Sequence, residues 1–274
     1  MTFRPALRPG APLLRRSATH LQVGTSPGIV IADRPGLADL LRLLDGVRDL
    51  DRLQDLAAVE IPELGEPVAA VLTELCAVGA VVDAAAAGVT SRRRGSATVG
   101  VVAGSGSAEL ARLTRSALSS AGIDVSDSAE PELLVITSLG EAARSVYERA
   151  SIVGVDHLPV VIDEDRVRIG PFVRPGKTPC VGCHDLHRAD WDPAWPALIH
   201  QLGRRPPLAQ PAAVDPLTLR AAAIELAAEI IARVDGHSPR TVGRCLVIGP
   251  GHDERATWPV SFHHRCACDL LNAA

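Results

Sequence analysis

Aromatic residues are scarce in this chain: three Trp, three Phe and one Tyr make up 3% of 274 residues. A core therefore has to be assembled from Ala, Val, Leu and Ile, and few platforms exist for stacking the bases of a single-stranded nucleic acid. No apolar run approaches the roughly 20 residues that span a bilayer. Nor does the roughly 7–15-residue apolar stretch of a secretory signal follow Arg4, Arg8, Arg15 and Arg16. Neither sign of charge dominates, since 28 Lys and Arg against 32 Asp and Glu leave a net −4. That excludes a bulk pull toward nucleic acid or an anionic membrane. The expected location is the cytosol, where six cysteines serve as reduced ligands or core residues sooner than as disulfides. What is present is a core-forming composition, 47% hydrophobic and 22% charged, in a length that suits two domains.

Residues 1–90 read as one small unit. Short apolar or alternating runs at Leu13–Arg16, His20–Val23 and Ile29–Asp33 predict three strands, the last two separated by the turn Thr25-Ser26-Pro27-Gly28. A helix is expected from about Pro35, with Leu37, Leu40, Leu41 and Leu44 at helical spacing and Asp45-Gly46 as its stop. Asp49 can cap a second helix carrying Leu50, Leu53 and Leu56. Pro67 opens a third with Val68, Val71, Leu72 and Leu75 on one face; Gly79 ends it, and Val81-Val82 returns as a wing strand. Ala84–Ser96, with Arg92, Arg93 and Arg94, reads as a solvated linker; phosphate or nucleic acid contact is the rival role of the arginines.

Residues 96–274 read as a second unit. Strands are expected at Thr98–Ala103, Leu133–Thr137, Val160–Ile162, Val167–Val173, Arg244–Ile248 and Thr257–Phe262. Helices are expected at about Ala108–Ala121, Glu141–Ala150 and Pro216–Val234. Strands alternating with helices predict an α/β sheet, mostly parallel.

The strongest chemical signal is Cys180-Val181-Gly182-Cys183 together with Cys266-Ala267-Cys268. Two close thiolate pairs complete a tetrahedron, and soft sulfur ligands select zinc over magnesium or calcium. A structural zinc held by Cys180, Cys183, Cys266 and Cys268 is the expectation. Three rivals stand beside it. Cys180–His184 spells a haem-attachment pattern, but that requires export, and Met1, the sole methionine, cannot supply a second axial ligand. A thioredoxin-like redox pair leaves Cys266 and Cys268 unexplained. A catalytic zinc needs an open position, which four thiolates would close. His184, His187, His263 and His264 flank the cysteines as alternative ligands or supporting groups. Trp191 and Trp195 are expected to cover the metal, and Cys76 and Cys245 to lie in the core.

Gly104-Ser105-Gly106 between a strand and a helix is a weaker signal for phosphate binding. Glu109 stands where a third glycine would be, where its carboxylate would repel phosphate and crowd the helix against the sheet. Asp124 or Asp127 is the candidate ribose-binding acid. An ordinary tight turn accounts equally for the glycines.

A glycine loop, a mid-chain CxxC and a C-terminal cysteine pair resemble the ThiF/MoeB superfamily of ubiquitin-activating-type adenylyltransferases. The run Gly170-Pro171-Phe172-Val173-Arg174-Pro175-Gly176-Lys177-Thr178-Pro179-Cys180, continuing through Cys183-His184-Asp185-Leu186-His187-Arg188, resembles a narrower branch. That branch comprises the precursor-leader-binding, cyclodehydratase-associated proteins of thiazole/oxazole-modified microcin (TOMM) clusters. The first ninety residues are similar to the PqqD-like winged helix, through Leu41-Arg42-Leu43-Leu44-Asp45-Gly46 and Leu50. The resemblance implies an α/β chain: a winged-helix peptide-recognition domain, then a truncated Rossmann-like ThiF-type domain with a zinc knuckle. One departure stands out. Ile123–Glu130 runs almost directly into the Leu133 strand, so the cationic ATP-handling loop of active relatives is missing. Without it, charge on the α-phosphate lacks its stabilisers.

The expectation is therefore a pseudoenzyme scaffold for ribosomal peptide (RiPP) biosynthesis, with structural zinc and no ATP. It would present a precursor leader peptide to a YcaO-type cyclodehydratase or similar enzyme, with a homodimer possible. The strand Ile29–Asp33 beside the helix Val68–Ala77 would form the peptide groove, lined by Ile29, Ile31, Val71 and Leu75; the alternative is that these four form the core. An ATP-dependent adenylyltransferase acting on a peptide C-terminus is the rival enzyme. A winged-helix DNA-binding regulator is the third class, disfavoured by acidic residues along Leu37–Glu74.

Overall fold

The computed structural model describes residues 2–125, 131–204, 214–251 and 254–268. The chain divides into two compact units, Met1–Arg92 and Arg93–Ala274.

In the first unit β1 (Pro5–Leu7) is followed by the antiparallel three-stranded sheet β2 (Leu13–Arg15), β3 (His20–Val23) and β4 (Ile29–Ala32). Helices α1 (Leu37–Leu43), α2 (Leu50–Glu60) and α3 (Val68–Ala77) come next, then β5 (Val81–Asp83), which pairs antiparallel with β1. Local chemistry places the ends. The Asp49 carboxylate accepts the Arg52 N–H at 3.0 Å to cap α2, and Gly79, at φ +74°, turns the chain out of α3. Leu37, Leu40, Leu41, Leu53, Val71, Leu72 and Leu75 are sealed in one aliphatic core, as a chain poor in aromatics requires.

The division falls within α4 (Ala84–Ser96), where the sequence reading placed a solvated linker. An alanine-rich start favours helix, and Arg94 is held by Asp235 at 2.6 and 2.9 Å rather than by water. The arginine's partner is a carboxylate 141 residues distant in sequence.

The second unit runs β6 (Val99–Ala103), α5 (Ala108–Ser120), β7 (Leu133–Leu139), α6 (Arg144–Ile152), β8 (Asp156–Asp163) and β9 (Arg166–Ile169). Then come α7 (Val181–Trp191), α8 (Trp195–Arg204), α9 (Pro216–Asp235), β10 (Arg244–Ile248) and β11 (Arg255–Pro259). The six strands form one sheet in the order β11-β10-β9-β8-β7-β6. It is a mixed sheet, not a mostly parallel one: β6–β7 and β7–β8 are parallel, and the other pairings are antiparallel. Asp163 pairs with Arg166, so Glu164 and Asp165 form a two-residue hairpin, Glu164 at φ +56°. Such a turn joins only antiparallel neighbours.

The expected strand through Val173 ends at Ile169, because Gly170 adopts φ +98° and a Cβ there would sit 2.9 Å from the Arg244 carbonyl oxygen. The helix expected from Glu141 begins at Arg144, since Glu141 is drawn into buried ion pairs. The last strand lies at Arg255–Pro259 rather than Thr257–Phe262, set by its register against β10. The sheet core is Val, Leu and Ile from β6–β10, with Leu110 and Leu118 of α5 and Leu226 and Ile230 of α9. Among the described residues no helix is long and apolar enough to cross a membrane.

Candidate metal centre

Two segments about 85 residues apart converge at the N-terminus of α7. Cys180 is the N-cap residue of that helix and Cys183 lies in its first turn, so the expected CxxC turn is the start of a helix. The loop before it is anchored twice. The Thr178 hydroxyl donates to the Phe172 carbonyl at 2.9 Å and accepts the Arg174 N–H at 2.7 Å. Val173 and His157 exchange backbone hydrogen bonds at 2.9 Å, which fixes the loop to β8. Cys266 and Cys268 arrive after β11 on a turn in which the Cys266 N–H donates to the His263 carbonyl at 2.8 Å.

Cys180 Sγ lies 3.6 Å from Cys266 Sγ, and Cys183 Sγ 3.4 Å from Cys268 Sγ; all four sulfurs fall within 4.8 Å of one another. A tetrahedron with arms of ~2.3 Å has edges of ~3.8 Å, so a zinc ion fits among them, whereas a disulfide needs ~2.05 Å. The electrostatics agree with the donor chemistry. Burial pushes the Cys180 thiol up to about 12 and, with neighbouring sulfurs, raises that of Cys268. Burial opposes ionisation of Cys183 too, but backbone hydrogen bonds at His263 and Cys180 outweigh it and lower its pKa. Four thiolates this close need a cation to hold them ionised together. Cys245 is fully buried and Cys76 half-buried.

The flanking histidines divide. His184 is buried with Nδ1 3.6 Å from Asp185. His187, Asp190 and His263 gather their ligand atoms within 4.8 Å, a second grouping of metal-ligand residue types. Both ring nitrogens of His263 are already used, however. Nδ1 accepts the Arg265 N–H at 3.1 Å, which makes Nε2 the donor to Asp190 at 2.7 Å. Asp190 also pairs with Arg265, and the trio braces the turn that carries Cys266. His264 stacks on His263 at 4.4 Å. Trp191 does not cover the cysteine group: it is 84% exposed at the end of α7. Trp195 opens a different helix, is buried, and donates its indole N–H to Asp185 at 3.1 Å, with the Arg188 guanidinium 3.9 Å above its ring.

A buried charge network positions these helices, and the sequence reading missed it. Arg144 grips Asp185 with two bonds of 2.6 and 2.8 Å and reaches Glu141 at 3.0 Å; Arg168 pairs with Glu141 and donates to the Gly170 carbonyl at 3.1 Å. Desolvation works against both carboxyls, yet His184 and Arg144 hold Asp185, and Arg168 and Arg144 hold Glu141, below the usual range. The available signal was Arg168, a charge inside the apolar run Val167-Arg168-Ile169.

The glycine loop joins β6 to α5 around packed chain. A Cβ on Gly104 would lie 2.9 Å from the Thr137 carbonyl oxygen, and one on Gly106, at φ +75°, 2.6 Å from Leu139 Cδ2. The Ser107 hydroxyl donates to the Gly104 carbonyl at 2.9 Å and lies 2.8 Å from the Thr137 hydroxyl. Close approach of β7 explains both glycines. Glu109 does not crowd the sheet: it faces solvent and pairs with Arg112 at 2.7 Å. Asp124 is exposed after Ile123, while Asp127 lies outside the described residues.

In the first unit Ile31, Val71 and Leu75 are 6%, 0% and 1% exposed, and Ile29 packs partly buried against them. They form core rather than an open groove, sharing one apolar cluster with Leu37, Leu40 and Leu41 of α1. β4 itself is an edge strand, paired with β3 alone among the described residues. The Asp33 N–H donates to Thr19 O at 2.8 Å, and antiparallel alternation then turns the backbone of Ile29 and Ile31 toward β3. Val30 and Ala32 present their N–H and C=O groups outward, and Val30 is 47% exposed.

No protein-family model and no curated protein matches the chain. Solved structures do. The heterocyclase TruD superposes with a TM-score of 0.75 at 18% identity, over 97% of this chain and 42% of its own. A heterocyclase in complex with substrate and cofactor gives 0.74 at 17%, over 97% and 39%. E. coli MccB with SeMet MccA gives 0.60 at 11%, over 97% and 99%. The likeness at these identities is one of fold, and this chain spans about two fifths of the length of the heterocyclases it matches.

Proposed function

We propose that this chain is a peptide-binding scaffold for ribosomal peptide modification. Its first unit would act as a PqqD-like winged helix, and its second as a ThiF-like domain stapled by zinc. The open edge of β4 carries the proposal. A leader peptide can add there as a further strand, using the outward backbone of Val30 and Ala32. Fold likeness to heterocyclases and to MccB supports a place in peptide modification, with a YcaO-type cyclodehydratase as partner enzyme.

Cys180, Cys183, Cys266 and Cys268 would hold the zinc, which supplies a cross-link between α7 and the chain after β11 and no open coordination position. Leu139 packed against Gly106 gives that glycine a structural role, which supports a reading without ATP. The test is binding of the candidate leader peptide to the full chain and to a Val30→Pro variant. Selective loss in the variant is expected, and equal binding would place the peptide elsewhere.

A further inference from the structure

The second unit holds a cavity of about 760 Å³ beside the cysteine group, within the range of roughly 300–1,000 Å³ typical of ligand sites. Faces of α6, α7 and α8 line it, and Gly203 of α8 backs closely onto Ala143 just before α6. Most of the wall is apolar, with Ile152, Leu186, Ala189 and Ile199 among its residues.

Acceptors predominate among the polar groups of the wall: Ser151 and His200 also line it, and the Tyr147 hydroxyl, buried without a partner, can accept as well as donate. Arg144 is spent on Asp185 and Glu141, and Asp185 also accepts from Trp195. His157, 1% exposed, has Nδ1 3.0 Å from the Val155 carbonyl. A carbonyl only accepts, so Nδ1 carries the proton and Nε2 is a bare acceptor, buried without a partner. Burial lowers the His157 pKa, which keeps the ring neutral and that acceptor available. Cys180, Cys266 and Cys268 stand on the same wall. A divalent ion among four thiolates leaves the centre net anionic, and its sulfurs still accept N–H groups. Glu148, exposed on α6, has no ion pair among the described residues. Acceptors and negative charge on an apolar wall repel phosphates and carboxylates and suit a cation with an apolar body.

We propose that this cavity binds a lysine or arginine side chain flanked by apolar residues of a peptide segment, the cation directed to the thiolate end. The site rests on zinc at the four cysteines and is independent of strand addition at β4. Zinc content of the full chain is measured first; a chain purified without zinc overturns the site together with the metal.

The zinc-loaded chain is then titrated calorimetrically with three blocked peptides, acetyl-Leu-Ala-X-Ala-Leu-amide, with lysine, glutamine or glutamate at X. The lysine peptide should bind about tenfold or more tighter than the glutamate peptide, with glutamine between. Ala189→Trp, which fills the cavity, should abolish binding while zinc is retained. Glu148→Gln, an exposed change that leaves folding intact, should weaken the lysine peptide about threefold. Val30→Pro should leave all three affinities unchanged. Equal binding of the three peptides, no lysine-peptide binding at millimolar concentration, or loss of it in Val30→Pro overturns the proposal while leaving the zinc intact.

Discussion

Replacing Val30 by proline tests strand addition without disturbing the core. Its N–H faces away from β3, so proline removes no hydrogen bond of the existing sheet, and edge strands tolerate it. Val30 is 47% exposed, so the change in burial is small, and stability should shift by less than ~1 kcal/mol. A docking strand loses more. One backbone hydrogen bond is worth ~0.5–1.5 kcal/mol, and the ring also holds the incoming chain away from the neighbouring bond at Ala32. A total of ~1.5–3 kcal/mol raises Kd by about ten- to a hundredfold. Fluorescence anisotropy with a labelled leader peptide reads this directly, with circular dichroism and Tm as controls. A variant with wild-type Tm and wild-type Kd would refute strand addition at β4. Aspartate at Ile31 or Val71 is no substitute, since either would bury an unpaired carboxylate at a cost above ~3 kcal/mol and unfold the unit.

The purified protein should carry about one zinc per chain, and Cys266→Ser should lose it; disulfide-bonded, metal-free protein in elemental analysis would exclude the centre. Chelation followed by limited proteolysis should expose the second unit before the first, because only the second contains the four cysteines. Arg168→Ala should lower stability by ~3 kcal/mol in urea denaturation, since Glu141 then stays buried with one cation fewer; an unchanged midpoint would show that Arg144 suffices. Asp185 is held below the usual carboxylate range, so its contribution is complete above the unfolded pKa near ~4 and is lost as pH falls toward its folded value. Asp185→Asn should therefore flatten the acid limb of a stability–pH curve. Pyrophosphate exchange with ATP should be absent, and micromolar ATP binding abolished by Gly106→Asp would restore an adenylyltransferase.

Local chemistry was legible in the chain. Asp49 and Gly79 bound their helices as their residue types dictate, and leucine spacing marked the buried faces of α1 and α3. The two cysteine pairs pointed to one cluster before any fold was known, and their four sulfurs lie within 4.8 Å of one another, close enough to share a metal ion. Strand direction was not legible, although the Glu164-Asp165 hairpin held the information: a two-residue turn fixes antiparallel pairing whatever the alternation around it suggests. Nor could spacing show that Ile31, Val71 and Leu75 are core while Val30 and Ala32 face outward. Ile31 lies between Val30 and Ala32 on one short strand, and only the pairing of β4 with β3 assigns its two edges. Arg144 and Asp185 are 41 residues apart, and Arg168 joins them through Glu141. Helical and strand periodicities report neighbours within one element, whereas a buried ion pair is set by the three-dimensional meeting of several, which only the tertiary structure decides.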